Sequence, residues 1–167
     1  MVSEDTSAVT VSRSRGPVRT IVTAWLLAGT IDITVASIYF PLAGRFRLIL
    51  LYQGIASGVL GARAFAGGMQ TAILGLALHY LIALIWTVFF FFVYPKLKIL
   101  SINRTATAVA YAVFVSIVMS FVVLPLSNVH HFPVRAEPFL ISTVILMFTI
   151  GLPITTIVRK YYSTNRK

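Results

Sequence analysis

Two side chains that can carry charge sit inside apolar runs of this sequence: Asp32, in GTIDITVAS, and His79, in GLALHYLIAL. A carboxylate in hydrocarbon is costly and normally has a partner. An imidazole suits it, as a donor when neutral and a counter-ion when protonated. Such a pair has two uses: a hydrogen bond that ties two helices, or a proton relay or substrate site of the kind intramembrane ionisable groups mark. Arg63 is an alternative partner for Asp32, brought in by a re-entrant segment. His130 and His131, with Glu137 six positions on, form the other cluster with metal-ligand chemistry. Adjacent histidines diverge in most backbones and no further ligand is near, so they read as a solvated loop and no metal is expected. There is no cysteine, no HExxH, no nucleophile–base arrangement and no pair of catalytic carboxylates. Gly54, Gly58 and Gly61 are not followed by the Lys-Ser/Thr of a phosphate loop. No cofactor is expected, and no catalytic set points to an enzyme.

The elements that must position Asp32 and His79 are membrane helices. Of 167 residues 58% are apolar and 11% charged, and the mean hydropathy is +0.91. Soluble domains carry about a quarter charged residues. Four runs reach the roughly 20 residues that cross a hydrocarbon core: 20–44, 67–95, 105–126 and 139–158. Such segments must satisfy their own backbone, which makes them helices. Residues 46–62 are shorter between Arg47 and Arg63, with Leu48, Leu51, Tyr52, Ile55, Val59 and Leu60 at helical spacing. They read as an interfacial or re-entrant helix, with a fifth full span as the alternative. Residues 1–19 read as a mobile tail and 161–167 as a second tail. The fold class is all-α: a polytopic four-transmembrane-helix bundle with an extra helix between spans 1 and 2. It forms a single domain over 20–160.

Small residues spaced by four mark helix-packing faces. Span 1 has Ala24, Ala28, Asp32 and Ala36; span 2 has Thr71, Gly75, His79, Ala83 and Thr87; span 3 has Ala108, Ala112, Ser116 and Ser120. Asp32 and His79 therefore each lie on a packing face. At ~1.5 Å per residue their depths differ by roughly 3 Å, so the spacing predicts that they meet. Pro153 reads as a feature of the last helix's end.

Lys and Arg fix the orientation. Ten lie in 1–19, 96–104 and 159–167, against four on the other side (Arg45, Arg47, Arg63, Arg135), which predicts cytoplasmic termini. The net charge of +10 follows this topology pattern rather than a nucleic-acid footprint, because the cations lie between long apolar runs. The expected partners are the lipid bilayer and a second copy or a larger membrane complex, with no nucleic acid.

The stretches QGIASGVLG (53–61), Gly67-Gly68, LGLALHYLIAL (74–84), VLPLS (123–127) and GLP (151–153) resemble a family of small uncharacterised four-helix bacterial inner-membrane proteins. The resemblance implies a bacterial cytoplasmic membrane location and carries no activity. The functional expectation is a structural or accessory membrane protein, self-associating or bound to a larger complex. The alternatives are a small proton-coupled transporter using Asp32 and His79, and a lipid-modifying enzyme.

Overall fold

The computed structural model describes residues 16–42, 44, 47–101, 103–129 and 136–165, which are helical with short turns and contain no strand. Five helices are long and apolar enough to cross a membrane: α1 (Pro17–Leu42), α2 (Leu48–Ala66), α3 (Gly68–Val93), α4 (Arg104–Leu126) and α5 (Ala136–Asn165). The chain is thus an all-helical protein compatible with a multi-pass membrane position. Residues 1–15 of the first expected tail lie outside the described residues, whereas Pro17, Val18 and Arg19 already belong to α1. A proline suits that first turn because the N–H it lacks would have no helical partner there. The second expected tail is also helical as far as Asn165.

The extra helix is longer than its bracketing arginines predict. An α-helical part, Leu48–Leu60, passes at Gly61 into a 3-10 turn, Gly61–Ala66, so Arg63 does not end the element. Gly61 adopts φ +59° and Gly68 φ +56°, conformations that favour glycine, and they bracket this turn. Tyr52 anchors α2 twice. Its hydroxyl bonds Ser37 Oγ at 2.9 Å near the end of α1, and its carbonyl abuts Gly75 near the start of α3. Gln53 Nε2 donates to the carbonyl of Gly68 at 2.9 Å, and Asn128 Nδ2 to that of Val59 at 2.8 Å. Between α2 and its neighbours lies an apolar groove of about 350 Å³, lined among others by Phe40, Gly54, Ile82 and Val123.

The core lies toward the other end, where Ala28, Phe90, Phe91, Tyr94, Tyr111, Val115, Ile150, Ile154 and Val158 pack together. Tyr94 stacks on Tyr162 with centroids 5.6 Å apart. Three aromatic side chains tie other helices to the backbone of α3: Trp25 Nε1 donates to the carbonyl of Tyr80, Tyr111 Oη to that of Trp86, and Tyr162 Oη to that of Phe91, at 2.7, 2.7 and 3.1 Å. Asn103 opens α4 by accepting from the N–H groups of Thr105 and Ala106.

Both α4 and α5 contain a π-helical segment, Met119–Val123 and Met147–Gly151. Each ends two residues before a proline, Pro125 and Pro153. A proline ring clashes with the carbonyl four residues back and provides no N–H, so the wider turn relieves the contact without breaking the helix. Pro153 therefore does not end the helix, as the sequence suggests. α5 continues through it to Asn165.

Candidate functional site

Asp32 and His79 are both engaged at the same stretch of α1, but are not hydrogen-bonded to each other. Thr149 Oγ1 donates to Asp32 Oδ1 at 2.6 Å, tying α1 to the π segment of α5. His79 Nε2 bonds the carbonyl of Gly29, one turn earlier in α1, at 2.9 Å. The direct hydrogen-bonded pair expected from the sequence is therefore replaced by two separate ties, although the imidazole is near enough to act electrostatically on the carboxyl. The reason is reach. A bare carbonyl presented at Gly29 allows α1 and α3 to approach closely, and a Cβ there would lie 3.2 Å from the Tyr80 ring and 3.4 Å from Ala83. At that separation the imidazole meets backbone before it meets the carboxylate.

The geometry fixes some of the chemistry. A carbonyl only accepts, so His79 Nε2 is the donor in its bond to Gly29. Thr149 Oγ1 also lies 3.0 Å from the carbonyl of Ile145. A hydroxyl has one proton to give. When Asp32 is ionised, Thr149 donates to it; when Asp32 is protonated, the carboxyl donates to Oγ1 and Thr149 donates to Ile145. Both states of the acid find partners in one arrangement. Thr149 is buried, Asp32 and His79 half-buried. Thr30 Oγ1 and Tyr80 Oη, 2.9 Å apart, add a third side-chain link between α1 and α3.

Two buried hydroxyls, Ser116 of α4 and Thr155 of α5, have no hydrogen-bond partner among the described residues. Buried polar atoms are usually paired, so the α4–α5 contact has spare hydrogen-bonding capacity.

The small-residue faces are packing surfaces, each with its own neighbour. Ala24 and Ala28 are fully buried, and Ala36 is half-buried. Gly75 meets the backbone of α2 at Tyr52 and Ala56, while Ala83, two turns on, meets Gly29 of α1. The stripe of α3 thus serves two helices. Ala108 and Ala112 face Gly151, where a Cβ would sit 2.5 Å from the Ala108 carbonyl oxygen. Ser116 is buried in the same stripe, and Ser120, inside the π segment, is half-buried.

Arg63 is exposed in its 3-10 turn, and no ion pair or hydrogen bond joins it to Asp32, whose partner is Thr149. His130 and His131 lie outside the described residues; Glu137 is exposed in the first turn of α5. Among the described residues no three His, Cys, Asp or Glu side chains come together as a metal site. Thr149, Gly29 and Gly151 were not singled out by their types. Glycine placement was their faint signal, since Gly29 follows Ala28 on the packing face and Gly151 precedes Pro153. No family model matches the chain, and no curated protein or solved structure is significantly similar to it.

Proposed function

We propose that the protein is a structural or accessory component of a bacterial cytoplasmic membrane, a four-span bundle with α2 held at its outer end. It assembles with a second copy or within a larger membrane complex. One observation carries the reading: the acid and the histidine that lie inside the apolar runs are each engaged by another helix, Asp32 by Thr149 and His79 by Gly29. Interhelical bonds of this kind hold bundles together in lipid. The four-span arrangement is supported by Tyr52, which joins the last turns of α1 to the first turns of α3 and so has α2 start and return at one end of the bundle. Cytoplasmic termini rest on the Lys and Arg distribution, and the bacterial location on the family resemblance. Native mass spectrometry of the protein from nanodiscs tests the assembly: a defined oligomer or complex, preserved in Asp32→Asn, is expected. A monomer whose proteoliposomes carry a proton-driven flux abolished by Asp32→Asn refutes it.

A second reading, a small proton-coupled carrier, is favoured by an acid within a span that finds partners in both protonation states, held by Thr149. The flux measurement separates the two, because an amide at position 32 keeps a hydrogen bond and cannot titrate.

A further inference from the structure

At the end of the bundle where α3 finishes, the 3-10 turn Lys98–Ser101 and the last turns of α5 enclose a pocket of about 150 Å³. Lys98 and Arg159 both line it, with Ser101, Tyr162 and Ser163 between them. The protons of those three hydroxyls are already used: Ser101 Oγ donates to the Lys98 carbonyl, Ser163 Oγ to that of Lys160, and Tyr162 Oη to that of Phe91. The ammonium and the guanidinium are the cationic groups among the lining residues, and they call for an anion. The only acidic side chains among the described residues are elsewhere: Asp32 on Thr149, and Glu137 exposed at the start of α5. Glu4 and Asp5, the other two acids of the sequence, lie outside the described residues.

A planar fork paired with a compact cation matches a tetrahedral oxyanion. The pocket opens directly after the aromatic run Phe89–Tyr94, residues that collect at the level of lipid headgroups. Basic pockets between membrane helices at that depth take headgroup phosphates. We propose that this pocket binds a phosphate group, supplied by an anionic lipid headgroup or by free phosphate. The inference rests on the membrane reading of the bundle and adds a ligand class to it.

The test uses the full chain in dodecyl maltoside, titrated with phosphatidylglycerol, phosphatidylcholine or inorganic phosphate and read by native mass spectrometry. Saturable binding of phosphatidylglycerol or of inorganic phosphate is expected, and whichever is retained identifies the source. Lys98→Gln and Arg159→Gln should each weaken it about fivefold and the double variant about 30-fold, from about 1 kcal/mol per cation. Lys160→Gln removes an exposed neighbouring charge that does not line the pocket, and should change binding less than twofold, about 0.4 kcal/mol. Ser163→Phe keeps both charges and obstructs the mouth, so it should weaken binding with the net charge unchanged, which covers the case in which the double variant does not fold. Unchanged binding in the double variant or in Ser163→Phe overturns the proposal, as does a loss in Lys160→Gln equal to that in Arg159→Gln. Failure here with reporters still placing residues 97–103 in the cytoplasm removes the pocket alone. Binding retained with those reporters external would instead remove the proposed orientation.

Discussion

Adding one methyl group at Gly75 should unseat α2. An ideal Cβ at this position collides with the carbonyl group of Tyr52 and comes within 3.3 Å of the Ala56 nitrogen, and these are backbone atoms that cannot swing aside. α2 must therefore withdraw as a body. Overpacking a helix contact costs about 1–3 kcal/mol. Withdrawal also stretches the 2.9 Å bond from buried Gln53 to the Gly68 carbonyl, and a buried hydrogen bond adds about 1 kcal/mol. Gly75→Ala should thus destabilise the protein by about 2–4 kcal/mol, the sum of those two costs. Gly54, also helical, gives the opposite sign. A Cβ there meets nothing within 4 Å, because it enters the apolar groove. Gly54→Ala gains only from reduced freedom of the unfolded chain and should stabilise by about 0.4–1 kcal/mol. Reversible unfolding in mixed micelles, followed by Trp25 and Trp86 fluorescence, measures both. A Gly75→Ala protein as stable as the parent, or a Gly54→Ala protein destabilised as much as Gly75→Ala, would refute the α2–α3 contact.

Thr149→Val keeps shape and removes the donor to Asp32; it should cost about 1–3 kcal/mol in the same unfolding assay, and Asp32→Asn less, since an amide still pairs with the hydroxyl. A double-mutant cycle of Asp32→Ala with Thr149→Val should show coupling of about 0.5–3 kcal/mol, and a cycle of Asp32→Ala with His79→Ala a smaller one. The reverse order would restore the direct carboxylate–imidazole pair. Reporter fusions after Lys160 and within residues 97–103 should both read cytoplasmic and one at Asn128 external, whereas a periplasmic signal after Lys160 would make α2 a full span. Tyr111→Phe should lose about 1 kcal/mol through its bond to the Trp86 carbonyl, again by unfolding.

The helices were legible because hydrocarbon imposes a length and forbids charge. α3 and α4 lie within two residues of the runs drawn from the sequence, 68–93 against 67–95 and 104–126 against 105–126. The packing faces were legible because close approach requires small residues, and Ala24, Ala28, Ala108 and Ala112 are fully buried. Asp32 and His79 both make their hydrogen bonds at neighbouring positions of α1. Their partners were not readable. Counting residues gives height along a helix, whereas contact also depends on the angle around it, and the acceptor for His79 is a backbone carbonyl that every residue has. Thr149 is one of many threonines, and its position relative to α1 is set by a π turn. Pro153 signalled an irregularity near the end of α5, but the rule applied to it comes from helices in water, where ending is inexpensive. On the proposed membrane reading, an unpaired backbone group is costly enough that the helix widens and continues.

Four ties between helices among the described residues are made to backbone: Trp25, Tyr111, Tyr162 and His79 each donate to a carbonyl on another helix, at Tyr80, Trp86, Phe91 and Gly29. Such a bond is indifferent to the side chain at its receiving end. Selection can therefore hold the four donors while their acceptor positions drift, with Gly29 restrained only by the space beside it. Paired substitutions between helices, the trace that side-chain-to-side-chain contacts leave in an evolving lineage, will be absent at these four links and concentrated at Asp32–Thr149, Ser37–Tyr52, Thr30–Tyr80 and Gln53–Thr71. A scan of all single substitutions would show the same asymmetry, with one intolerant partner and one permissive partner at each tie.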